Sequence, residues 1–142
     1  MFMAYSTNAN YSTNWPIILE KTGYNIGNHY STTTGWYTVP ITGVYLFNII
    51  VFASGGGGST QYALKMKPGG QSVFTNDNWH ASRNNASGDD SLLIYAVGNY
   101  PFSGSLEIYC EEGDMVGWGH RSGTYSLYYA HCAFSGRLIT PI

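Results

Sequence analysis

Charge is what this chain has least of: only 10% of its residues are Asp, Glu, Lys or Arg, against roughly 25% in an ordinary soluble domain. The six Lys and Arg are outweighed by eight Asp and Glu. The cations are also scattered, with Lys65 and Lys67 nearest each other and Arg83, Arg121 and Arg137 far apart. A nucleic-acid footprint needs clustered cations, so that class of partner is excluded. Long apolar runs are missing too. The longest, over residues 44–53, is broken by Asn48 and is too short to cross a bilayer, so no membrane insertion is expected. Residues 1–5 lack the basic and long apolar regions of a signal peptide. Either a leader has been removed or export takes another route. Cysteine is scarce: Cys110 and Cys132 allow one disulfide or two buried thiols, and without matching His spacing they make a poor zinc site. Helical periodicity is absent, because Gly, Asn, Ser and Thr interrupt every segment.

Aromatic and β-branched residues are what the chain has in plenty, including 13 Tyr, which is incompatible with disorder. They fall in short runs between glycine-containing turns, the pattern of an all-β sandwich or barrel. The spacing predicts strands at 2–6, 17–19, 36–39, 44–53, 61–67, 92–97, 105–110, 115–118, 125–129 and 133–139, with an extended polar stretch at 24–30. The run V-Y-L-F-N-I-I-V-F-A is apolar on both faces and belongs in the middle of a sheet. In 61–67, Gln61, Lys65 and Lys67 alternate with Tyr62, Leu64 and Met66, as in a half-buried strand. Glu111-Glu112-Gly113-Asp114 reads as an acidic turn. No linker or second hydrophobic unit interrupts the chain, so residues 1–142 are expected to form one domain.

Three ordered patterns carry a resemblance. The first is Asn28-x-Tyr30 leading to Thr34-Gly35-x-Tyr37-Thr38-Val39-Pro40-x-x-Gly43-Val44-Tyr45-x-Phe47. The second is Leu106-x-Ile108 followed by Gly113-Asp114-x-Val116-x-Trp118, and the third is Phe134-Ser135-Gly136-x-Leu138-Ile139. Together they resemble the globular head of complement C1q and its tumour-necrosis-factor-like relatives. That resemblance implies a ten-stranded jelly roll that assembles as a homotrimer, with Tyr45, Tyr125, Tyr128 and Tyr129 as candidates to line its threefold axis. The stretch from Gly70 to Ser103 is longer than the family usually has, and no collagen-like Gly-x-y repeat precedes the domain. The chain therefore resembles head-only, secreted members, many of them lectin-like.

Catalytic signatures are missing. No Gly-x-Ser-x-Gly elbow, His-Glu-x-x-His or phosphate-cradling loop occurs, and Gly55 to Gly58 is followed by neither Lys-Ser/Thr nor a helix. His29 and His131 read as structural strand residues. An enzyme is not expected. Sugar binding needs an aromatic face against apolar C–H groups and planar polar groups for hydroxyls. Asn76, Asp77, Asn78, Trp79 and His80 supply both within five residues. Trp118, His120 and Arg121, continuing to Tyr125, form a second such cluster, although Trp118 also stands where the family has a core residue. Trp15 and Trp36 read as packing residues. Calcium takes six to eight oxygens, often from several loops. The resemblance implies calcium near the trimer axis, and Asp89 and Asp90 are the candidate ligands. The expected function is a secreted, extracellular, lectin-like trimer binding a glycan or glycoconjugate, with calcium as its candidate cofactor. The alternative is a structural or signalling trimer that contacts a protein partner.

Overall fold

Strict alternation of buried and open positions organises the longest strands. The computed structural model describes residues 1–7, 16–51, 53–54, 59–67, 69, 92–97, 102–122, 126–127 and 132–142. Within it, β4 (Gly43–Val51) buries Gly43, Tyr45, Phe47, Ile49 and Val51, while Val44, Leu46, Asn48 and Ile50 face the other way. Period-two alternation of this kind makes the strand a wall between two environments. β4 lies between β11 (Ala133–Pro141) and β8 (Phe102–Cys110), so its expected central place is where it sits. β1 (Phe2–Tyr5) and β2 (Lys21–Asn25) complete a five-stranded antiparallel sheet in the order β2-β1-β11-β4-β8. The second sheet has the order β3-β9-β6-β7, from β3 (Tyr37–Thr38), β9 (Met115–Ser122), β6 (Ser59–Lys67) and β7 (Leu92–Val97). A short pair joins β5 (Ala53–Ser54) to β10 (Ser126–Leu127).

Aromatic rings dominate the core between the sheets. Phe2 stacks on Tyr37 with centroids 4.6 Å apart and on Tyr30 at 5.0 Å, and meets Phe134 edge-on at 4.9 Å. Tyr45 stacks on Phe47, which stacks on Phe134. Gly136 makes this cluster possible: a Cβ there would stand 2.6 Å from a Phe47 ring carbon and 2.7 Å from Phe2. Buried tyrosines need partners for their hydroxyls, and they find them on the backbone. Tyr45 Oη donates to the Ile41 carbonyl at 2.7 Å, and Tyr30 Oη accepts from the Leu19 amide at 3.2 Å. Burial pushes the Tyr30 phenol up to about 12 and raises those of Tyr37 and Tyr45 as well.

Several expectations are corrected. The described residues hold eleven strands where ten were expected. Residues 17–19 are not a strand; Ile17 and Leu19 are buried in an extended segment tied by the Ile17 amide to the Trp118 carbonyl at 2.9 Å. The polar stretch 24–30 ends its strand at Asn25 and turns. There the Asn25 side chain clasps Tyr30, accepting from its amide at 3.1 Å and donating to its carbonyl at 2.8 Å. Lys67 is buried instead of outward. Tyr45 belongs to the protomer's own aromatic core and cannot line an axis between protomers. Of the two alternatives open for Cys110 and Cys132, the structure has the buried thiols and no disulfide.

Candidate functional site

The outward face of the five-stranded sheet is the surface that the core leaves open. Pairing fixes its rows. Tyr5, Ala133, Ile50 and Ser103 lie in one row across β1, β11, β4 and β8. Tyr24, Met3, Ser135, Asn48 and Ser105 form the next, reaching β2. Then come Arg137, Leu46 and Glu107, and last Val44 beside Tyr109, with Ile139 at the register shift in β11. Tyr24 is 45% exposed, Ile50 49% and Ile139 46%, and Tyr5 and Tyr109 are exposed too. Large apolar side chains exposed on one sheet face mark an interaction surface. A polar stripe crosses it, where Asn48 Nδ2 donates to Ser135 Oγ at 3.4 Å. Beside the stripe lies a pocket of about 340 Å³ lined by Tyr24, Leu46, Asn48, Ser135, Gly136 and Arg137.

Of the sequence-predicted binding residues, most lie outside the described residues. Trp118 is a correction: it is fully buried on β9, paired in register with Leu64, and belongs to the core cluster. Its ring is therefore closed to a ligand arriving from solvent. His120 and Arg121 lie on β9, and their side chains are outside the described part. Asn76, Asp77, Asn78, Trp79, His80, Asp89, Asp90 and Tyr125 lie outside the described residues, as does Trp15. Trp36 packs as expected, being buried against Gly117. A Cβ on Gly117 would stand 3.1 Å from the Trp36 ring and 2.9 Å from Pro16. Among the described residues no group of three or more His, Cys, Asp and Glu is placed to hold a metal ion. Among them, too, no helix is long and apolar enough to cross a membrane.

With this geometry in hand, comparison with known proteins decides the family. The sequence model of the C1q domain matches residues 1–139. The chain belongs to the C1q domain family. Human complement C1q and tumor necrosis factor-related proteins 9A and 9B are each 32% identical over 113 residues, covering 72% of this chain. The mouse protein 9 is 31% identical over 109 residues and covers 70% of it. The chain spans about a third of the length of these relatives (32% of each human protein, 30% of the mouse one). Among solved structures, the globular domain of zebrafish complement 1qA protein aligns with TM-score 0.71 at 18% identity, over 99% of this chain and 98% of that one. Eiger TNF from S. frugiperda aligns with TM-score 0.65 at 12% identity, over 99% and 92%. The all-β jelly roll expected from the resemblance is thus the fold.

Within this C1q domain, Asp114 is a residue whose role the sequence reading missed. It stands in the acidic turn that the sequence predicts, yet it is completely buried. Its Oδ1 accepts from the Gly69 amide and its Oδ2 from the Glu111 amide, both at 2.8 Å. Its own carbonyl accepts from the Val39 amide at 2.7 Å, and the Gly113 amide donates to the Val39 carbonyl at 2.8 Å. The Asp114 side chain therefore ties Gly69 to the turn at Glu111, and main-chain hydrogen bonds tie that turn to Val39. The signal was present in the Gly113-Asp114-x-Val116-x-Trp118 pattern, which joins this carboxylate to two core residues.

Proposed function

We propose that this C1q domain is a secreted recognition module that works as a homotrimer and binds glycans. The observation that carries the assembly is the exposed face bearing Tyr5, Tyr24, Ile50, Tyr109 and Ile139, which a monomer would leave in water. A cyclic trimer covers such a face three times over with one kind of contact. The glycan reading rests on Asn76, Asp77, Asn78, Trp79 and His80, where a tryptophan face stands among planar amides. His120, Arg121 and Tyr125 remain in the second candidate cluster, without Trp118. Asp89 and Asp90 are the proposed calcium ligands. Sedimentation velocity is expected to give the trimer mass, and a glycan array with calcium or with chelator is expected to give hits that Trp79→Ala abolishes. An array blank under both conditions overturns sugar binding.

A second reading is a signalling or structural trimer whose ligand is a protein. The fold likeness to Eiger TNF supports it, as do relatives named for both C1q and tumor necrosis factor. A trimer that ignores sugars and loses no binding on Trp79→Ala would favour it.

A further inference from the structure

The two cysteines sit at opposite ends of one sheet. Cys110 closes β8 and is paired with Gly43, the first residue of β4. Cys132 stands just before β11, whose first residue, Ala133, is paired with Ile50 near the far end of β4. The run of β4 between Gly43 and Ile50 is roughly 23 Å at about 3.3 Å per residue. β8 and β11 also flank β4 on opposite sides, which adds two strand spacings, roughly 9–10 Å. A disulfide needs Cα atoms within about 7 Å. No side-chain rotation or one-residue slip spans that difference. Both cysteines are core residues, Cys110 at 0% and Cys132 at 2% exposure, and a buried thiol is inert. The turn after Cys110 is held as well, by the Glu111 amide on Asp114 and the Gly113 amide on Val39.

In the unfolded chain nothing keeps the pair apart. A loop of about 20 residues joins them, short enough to close readily. We infer that this fold and a Cys110–Cys132 bridge exclude each other, so that the oxidation state of the thiols decides whether the chain can fold. The inference rests on neither the assembly nor a ligand. The step that blocks folding is thiol–disulfide exchange with a small-molecule disulfide such as oxidised glutathione. One cysteine thiolate attacks it, giving a mixed disulfide and releasing one glutathione thiolate. The second cysteine thiolate attacks the protein sulfur of the mixed disulfide and expels the other glutathione. Two protein thiols lose two electrons and two protons, and one glutathione disulfide becomes two glutathione thiols. In an oxidising compartment the order of events then matters. Folding first hides both thiols, and oxidation first ties together residues that must end on opposite sides of β4.

Oxidation before and after folding tests this. Dilute chain unfolded in urea is treated with oxidised glutathione, and the bridged species is separated, verified by mass and diluted into native buffer. Near-ultraviolet circular dichroism reads the fixed aromatic core. The folded yield of the bridged chain is expected to be at least about tenfold below that of the dithiol, and dithiothreitol is expected to restore it. Native protein given the same oxidant is expected to lose its thiols only as fast as it unfolds, at a rate that climbs with urea. Cys110→Ala/Cys132→Ala should refold equally with and without oxidant; should it fail to fold, the dithiothreitol arm decides alone. A bridged chain that regains the native spectrum without reductant overturns the inference. So does native protein that forms the bridge with its spectrum unchanged, and so does an unfolded chain that never forms it.

Discussion

The two faces of the five-stranded sheet are made by the same strands, with one side chain pointing each way in turn. Inward, β1, β4 and β11 present Phe2, Tyr45, Phe47 and Phe134, all at most 1% exposed and packed ring against ring, Phe2 edge-on to Phe134 and the others stacked. Outward, the same strands present Tyr5, Ile50 and Ile139, exposed by 36%, 49% and 46%. The outward face also holds the Ser135, Asn48 and Ser105 stripe and the charged side chains of Lys21, Arg137 and Glu107. Both faces are apolar in composition, yet only one is closed by the protomer itself. An apolar residue on a strand thus states that something must cover it, and leaves open whether that cover comes from the same chain.

The largest effect should come from breaking the inner face. Phe47 contacts Phe134, Tyr45 and Tyr37 rings, and Phe47→Ala should cost about 3–5 kcal/mol through lost burial and an unfilled cavity. Urea unfolding at fixed protein concentration measures this. A loss under about 1 kcal/mol would mean the aromatic stack does not hold the sheets together.

A somewhat smaller effect follows from the buried phenols. Burial raises the Tyr30 phenol to about 12 from its ordinary 10, so the fold favours the neutral form. The unfolded chain then releases its proton first as pH rises, and stability falls with pH wherever the unfolded state binds fewer protons. The contribution is complete below pH 10, declines between 10 and about 12, and amounts to about 3 kcal/mol when fully lost. Unfolding free energies at intervals from pH 9 to 12 should trace that decline, and Tyr30→Phe should make it shallower. An unchanged slope in the variant would assign the alkaline loss to other groups.

Alternation and turn chemistry made most of this fold legible. Residues 44–53, 105–110 and 133–139 were read as strands, and the observed strands overlap all three closely. Periodicity failed where tertiary contacts replaced local pairing. Ile17 and Leu19 look like strand residues because they are apolar, but they are buried in the core cluster without a strand ladder, Ile17 tied to β9 by one backbone hydrogen bond. Lys67 continues the polar phase of its strand and is buried all the same. Trp118 could be read as a platform or as core from its neighbours alone, and the register with Leu64 on β6 puts it inside. The assembly face was harder to read. V-Y-L-F-N-I-I-V looks like a strand covered on both sides, and nothing in a single sequence separates cover by a second sheet from cover by a second copy.

Ile50 separates those two kinds of cover. It stands 49% exposed in the row between Ala133 and Ser103, so Ile50→Asn removes little packing from the protomer. Surface changes of this kind usually fall within about 0.5 kcal/mol, and the slight loss of strand preference acts in the same range. Protomer stability, measured by urea unfolding at concentrations where the chain is monomeric, should therefore barely move. Assembly should respond instead, because a polar amide would be buried against the neighbour's apolar face without a prepared partner. The average mass by sedimentation should fall at concentrations where the wild type remains a trimer. If the variant loses as much stability as Phe47→Ala, the protomer covers this residue itself and the contrast between the faces is wrong. If neither stability nor mass changes, the apolar patch is surface and the assembly contact lies elsewhere.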